Sequence, residues 1–111
     1  MTAQDVEAIC LALPGARKVR LWGRLDVYKL ASKVFCTCEA GEVSFKASDI
    51  LYAILTEEGP GRPTQGFTPG AWVTMPLYEV EPADAEAWIA RSHGYAAAGL
   101  SKAKRAELGI A

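Results

Sequence analysis

Between residues 26 and 48 the chain reads DVYKLASKVFCTCEAGEVSFKAS. Two small-residue turns, Ala31-Ser32 and Ala40-Gly41, divide it into three β-rich runs, 27–30, 34–39 and 43–46. Parallel strands need a crossover of a dozen residues or more, which these connections cannot supply. The stretch must therefore be an antiparallel meander, and the rest of the chain has to cover one of its faces or extend its edges.

Alternation assigns the faces. In the middle run Val34, Cys36 and Cys38 fall on one side, and Phe35, Thr37 and Glu39 on the other. In the third run Val43 and Phe45 point inward, Ser44 and Lys46 outward. Upstream, Thr2 and Asp5 mark a helix start, and Val6, Ile9, Cys10 and Leu13 repeat at helical spacing until Pro14-Gly15 ends the helix. Residues 16–21 read as a first strand, with Arg17, Val19 and Leu21 on one side and Lys18, Arg20 and the following Trp22 on the other.

Downstream, Ser48 caps a second helix whose apolar stripe is Ile50, Leu51, Ile54 and Leu55. Residues 57–66, EEGPGRPTQG, read as a surface loop. Residues 72–78 form another strand, with Pro76 at an edge or an end. Pro82 opens a third helix in which Ala85, Trp88, Ile89 and Ser92 line one side, and SKAKRAEL makes a short terminal helix closed by Gly109. The expected architecture is one α+β domain spanning residues 1–111, an antiparallel sheet with helices packed on one face in a two-layer sandwich.

At 111 residues, half of them hydrophobic, the chain can bury a core without disulfides or a structural metal. No apolar run approaches a membrane span, and the N-terminus has acids and no basic n-region, so a cytoplasmic protein is expected. Cys10, Cys36 and Cys38 read as reduced thiols acting as small hydrophobes; with only His93 besides, they offer no zinc-ligand spacing, and neither metal nor cofactor is expected. Ser92 and His93 are sequence neighbours, which is not how a nucleophile meets its base, so no catalytic residues are expected.

Several short segments resemble one family. Asp26-Val27-Tyr28-Lys29, Ser32-Lys33-Val34-Phe35 and Ser44-Phe45-Lys46-Ala47-Ser48 resemble the strand motifs of the MmcQ/YjbR family of small bacterial proteins. Phe67-Thr68-Pro69-Gly70-Ala71-Trp72-Val73 is similar to its glycine-rich turn and strand-opening Trp, and Ser92-His93-Gly94-Tyr95 to a segment near the end of its last long helix. Ser32 and His93 stand where the family pattern has glycine and tyrosine. The resemblance implies a frataxin-like (CyaY-like) fold and a DNA-binding function in which strand-turn wings grip the duplex.

The residues themselves supply a candidate surface for such a ligand. The formal net charge is only −1, but Arg17, Lys18, Arg20, Arg24, Lys29 and Lys33 crowd one segment, with Asp26 as its acid. Basic side chains beside an aromatic can neutralise phosphates and stack on a base. The candidate nucleic-acid contacts are Arg17, Lys18, Arg20, Lys29, Lys33 and Lys46, with Trp22 as the stacking ring. The alternative is a protein–protein interaction or regulatory module that uses the loop 57–72, with Phe67 and Trp72 as partner contacts. In neither reading is the protein an enzyme.

Overall fold

The computed structural model describes residues 1–66 and 70–110. Thr2 caps α1 (Ala3–Leu11) through a reciprocal pair: its hydroxyl accepts from the Asp5 N–H, and the Asp5 carboxylate accepts from the Thr2 N–H. The described residues then form a six-stranded antiparallel sheet. Its strands are β1 (Ala16–Leu21), β2 (Leu25–Leu30), β3 (Lys33–Glu39), β4 (Glu42–Ala47), β5 (Arg62–Pro63) and β6 (Ala71–Pro76), in the order β1-β2-β3-β4-β6-β5. The other helices are α2 (Asp49–Glu57), capped by the Ser48 hydroxyl, α3 (Pro82–Ala98) and α4 (Lys102–Glu107), capped by the Ser101 hydroxyl. The α+β sandwich read from the alternation is the architecture observed.

Cross-strand register fixes which side chains share a face. Lys18, Tyr28, Cys36, Phe45 and Val73 lie in one row across the sheet. This row faces α1 and α3: Lys18 bonds Glu7 of α1, and Phe45 stacks on Trp88 of α3 with ring centroids 5.6 Å apart. Val6, Cys10, Leu30, Phe35, Val43, Met75 and Ile89 complete the fully enclosed centre of the core. Cys10, Cys36 and Cys38 are all free and buried, and burial together with the adjacent Cys10 thiol pushes the Cys36 thiol well up. So placed, the Cys36 thiol stays protonated and serves as a core atom.

Four expectations need correction. Phe35 does not face away from Cys36. The β2–β3 register passes from Tyr28↔Cys36 to Lys29↔Val34, so Phe35 is the extra residue of a β-bulge, and it turns into the core beside His93, at 5.2 Å edge to face. The segment 57–66 is not loop throughout: Arg62 and Pro63 pair with Thr74 and Val73, and Arg62 forms a two-pronged ion pair with Glu42. Of the expected α2 stripe only Leu51 and Leu55 turn inward, whereas Ile50 and Ile54 are exposed. The strand expected to run to residue 78 ends at Pro76 and passes into a 3-10 turn, Leu77–Glu79.

Candidate functional site

The bulge at Phe35 has a local effect on the sheet. β3 and β4 pair from Glu39↔Glu42 to Cys36↔Phe45. The next rung would join the Phe35 carbonyl to the Lys46 N–H, and a side chain from α3 occupies it instead. The Ser92 hydroxyl accepts from the Lys46 N–H at 3.0 Å and donates to the Phe35 carbonyl at 2.6 Å. Both backbone groups are satisfied, as buried polar groups must be, but the two strands are held apart by the width of a hydroxyl.

Beyond that rung the strands splay and a recess of about 280 Å3 opens. Lys33 and Val34 of β3, Lys46 of β4, Trp72 of β6, and Ser92, Tyr95 and Ala96 of α3 line it. Ser92 and Ala96 are buried and form its floor, and Trp72 is buried in its wall. The Lys46 ammonium lies 5.8 Å from the centre of the Tyr95 ring, within cation–π range. Among the described residues no carboxylate lines the recess, and neither Lys33 nor Lys46 is ion-paired.

Two glycines seat the lysines. A Cβ on Gly99 would come within 2.8 Å of Lys33 Cε, and one on Gly70 within 2.6 Å of Lys46 Cε. Each aliphatic stem therefore lies directly on glycine backbone, which brings its ammonium to the rim of the recess. Gly99 has an ordinary φ of −82°, so alanine there is conformationally free and acts only by pushing Lys33 away. Gly99→Ala is expected to change stability by less than about 0.5 kcal/mol and to weaken binding of an anion several-fold. Urea unfolding and a binding titration on the same variant check the two halves.

The candidate basic residues divide into separate groups. Lys18 and Arg20 lie on the helix-covered face, not beside Trp22: Lys18 reaches Glu7 and Asp26, and Arg20 Nε donates to Asp26 at 2.7 Å. Trp22 sits in the β1–β2 turn at φ +54°, exposed, with Arg24 over its ring at 5.6 Å; Arg24 in turn pairs with Glu39. That turn and the recess are at opposite ends of six-residue strands, about 20 Å apart. Arg17, Lys29, Lys33 and Lys46 gather instead at the recess end. Arg17 and Lys29 are register partners on the uncovered face, and Arg17 donates to the Ala31 carbonyl in the β2–β3 turn. Of the two candidate partner contacts, Trp72 is buried, and Phe67 lies outside the described residues.

Asp26 is buried, and the Arg20 guanidinium bonded to it holds its carboxyl below the ordinary value of 3.8, with Lys18 acting in the same direction. A value lowered by folding contributes stability above the unfolded value and loses it as pH falls through the folded one. Asp26→Asn is expected to cost about 1.5 kcal/mol at neutral pH, limited by the exposure of Arg20, with the difference from the wild type shrinking as pH falls below 3.8. Urea unfolding at several pH values measures it.

Sequence reasoning passed over Ser92, Tyr95 and Gly99 as site residues. Ser92, Tyr95 and Ala96 share one face of α3 by their spacing, which was a usable signal. Among the described residues no His/Cys/Asp/Glu group is arranged to hold a metal ion, and no helix is long and apolar enough to cross a membrane.

The family model for YjbR matches residues 11–94, which is more than half of the chain and includes β1 through most of α3. This chain belongs to the YjbR family. A crystal structure of Deinococcus radiodurans protein DR2400, a DUF419 domain, superposes with a TM-score of 0.83 over 99% of this chain and 89% of that one, at 20% identity. At that identity the likeness establishes the YjbR chain's fold alone. No curated protein matches it.

Proposed function

We propose that this YjbR-family chain is a non-catalytic nucleic-acid-binding protein that holds its ligand at the recess end of the sheet. One observation carries the reading: Lys33 and Lys46 both line a recess with an aromatic ring at its edge and, among the described residues, no carboxylate in its lining. Phosphates are neutralised by such cations, and bases stack on such rings.

Charge segregation makes this compatible with a net charge of −1. Away from the recess Lys18, Arg20, Arg24 and Arg62 are each paired with Glu7, Asp26, Glu39 or Glu42. The acids Glu79, Glu81, Asp84 and Glu86 lie before and within the first turns of α3, whereas Tyr95 and Gly99 lie at its far end. Over 17 residues that separation is about 25 Å. Arg17 and Lys29 extend the cationic end along the uncovered face, giving a strand a track toward the recess.

The absence of catalysis is part of the proposal. The Ser92 hydroxyl is engaged between two strands, and His93 Nε2 hydrogen-bonds the Pro14 carbonyl at 2.8 Å, so the two do not form a nucleophile–base pair. The alternative, a partner module on the loop 57–72, is weakened by the burial of Trp72.

Anisotropy titration of labelled single- and double-stranded oligonucleotides tests the reading. Affinity should fall linearly with salt on a log–log plot. If neither probe binds at low ionic strength, the proposal fails.

A further inference from the structure

We propose that the recess takes a terminal phosphate monoester, so that the protein prefers phosphorylated strand ends to internal backbone. This rests on the nucleic-acid reading above but commits the same site to a narrower ligand. The shared chemistry is a phosphate dianion joined to a sugar and base, carried either by a strand end or by a free mononucleotide.

Charge favours a monoester over a diester. Two lysines line the recess, and among the described residues no lining side chain carries an opposing charge. An internal phosphodiester brings one negative charge, whereas a phosphate monoester brings about −1.5 to −2 at neutral pH. The monoester is the better match for two lysines. Lysine also suits it chemically, as a point charge on a flexible stem that can close on tetrahedral oxygens.

Shape favours a small terminal group. The recess is floored by buried Ser92 and Ala96 and walled by β3, β4, β6 and α3. A recess of about 280 Å3 with buried Ser92 and Ala96 beneath it has room for a terminal phosphate, which needs no path onward. Tyr95, partly exposed at the rim, stands where the first base or its sugar would lie. The hydroxyl rung of Ser92 is what keeps this space open, since direct pairing of Phe35 with Lys46 would close the strands over it.

The test uses the full chain and single-stranded oligonucleotides of one sequence, labelled at one end. The other end carries either a phosphate or a hydroxyl, and both polarities are made. Adenosine monophosphate, adenosine and inorganic phosphate serve as competitors. The phosphorylated end should bind about tenfold more tightly than the hydroxyl end, in at least one polarity. Lys33→Gln with Lys46→Gln should abolish that advantage while circular dichroism shows an intact fold. The monophosphate should compete better than adenosine.

Equal binding of phosphorylated and hydroxyl ends overturns this inference and leaves the nucleic-acid reading standing. Binding of the monophosphate without binding of any oligonucleotide supports the recess chemistry and overturns that reading. Binding of none of these probes overturns both.

Discussion

Replacing Ser92 with alanine should lower stability by about 2.5 kcal/mol, although the change removes a single oxygen. The hydroxyl bonds two backbone groups, accepting from the Lys46 N–H and donating to the Phe35 carbonyl. Deleting one partner of a buried hydrogen bond costs the desolvation of whatever remains, about 1–3 kcal/mol per group. Direct closure of the rung would recover part of this, but the alanine methyl and the bulged Phe35 stand in the way. Urea unfolding should show a lower midpoint at unchanged slope. A change below about 0.5 kcal/mol would mean that the strands rejoin without strain and that Ser92 does not hold them apart.

The second large effect is on binding. Lys33→Gln with Lys46→Gln removes both charges and leaves shorter, neutral polar side chains in their place. If the recess neutralises phosphate as described, the log–log salt slope should fall by about 1.5, from roughly 0.7–0.9 per neutralised charge. Affinity at low salt should drop at least tenfold, with stability unchanged within about 0.5 kcal/mol. The control is Lys18→Gln with Arg20→Gln. Those residues carry as much formal charge, but they face Glu7 and Asp26. Their loss should leave the salt slope unchanged and lower stability instead.

This contrast also marks how far the sequence could be read. Strand periods, both hydroxyl caps of α1 and α2, and the inward Val43 and Phe45 were legible because each depends on residues within a few positions. Alternation correctly placed Lys18 and Arg20 on one side of β1. It could not tell that α1 would lay Glu7 over that side, because this contact depends on packing between elements. Trp22 was read as continuing the strand, whereas the hairpin turns at Trp22-Gly23 with both residues at positive φ, a conformation that costs a tryptophan energy and does not follow from its identity.

The bulge was hidden for a different reason. In the run VFCTC the residues of both faces are apolar or small, so a one-residue slip leaves the pattern looking equally plausible. Once Phe35 is extra, the rung beyond Cys36↔Phe45 is lost and a residue 57 positions away fills it. No local rule points from Phe35 to Ser92. The recess follows from that long-range bond, which is why its lysines could be named as basic residues but not grouped into a site.

The central claim is that the cationic end around Lys33 and Lys46, and not the Trp22 turn or the Lys18–Arg20 face, receives the ligand. The most direct measurement is an amide 1H–15N correlation spectrum of the labelled protein titrated with a single-stranded oligonucleotide bearing a terminal phosphate. The account expects the shifted resonances to cluster at Lys33, Val34, Lys46, Tyr95, Ala96 and Gly99, with Trp22, Gly23 and Arg24 unmoved. Shifts concentrated at residues 18–24, or a spectrum that does not change at low salt, would contradict it.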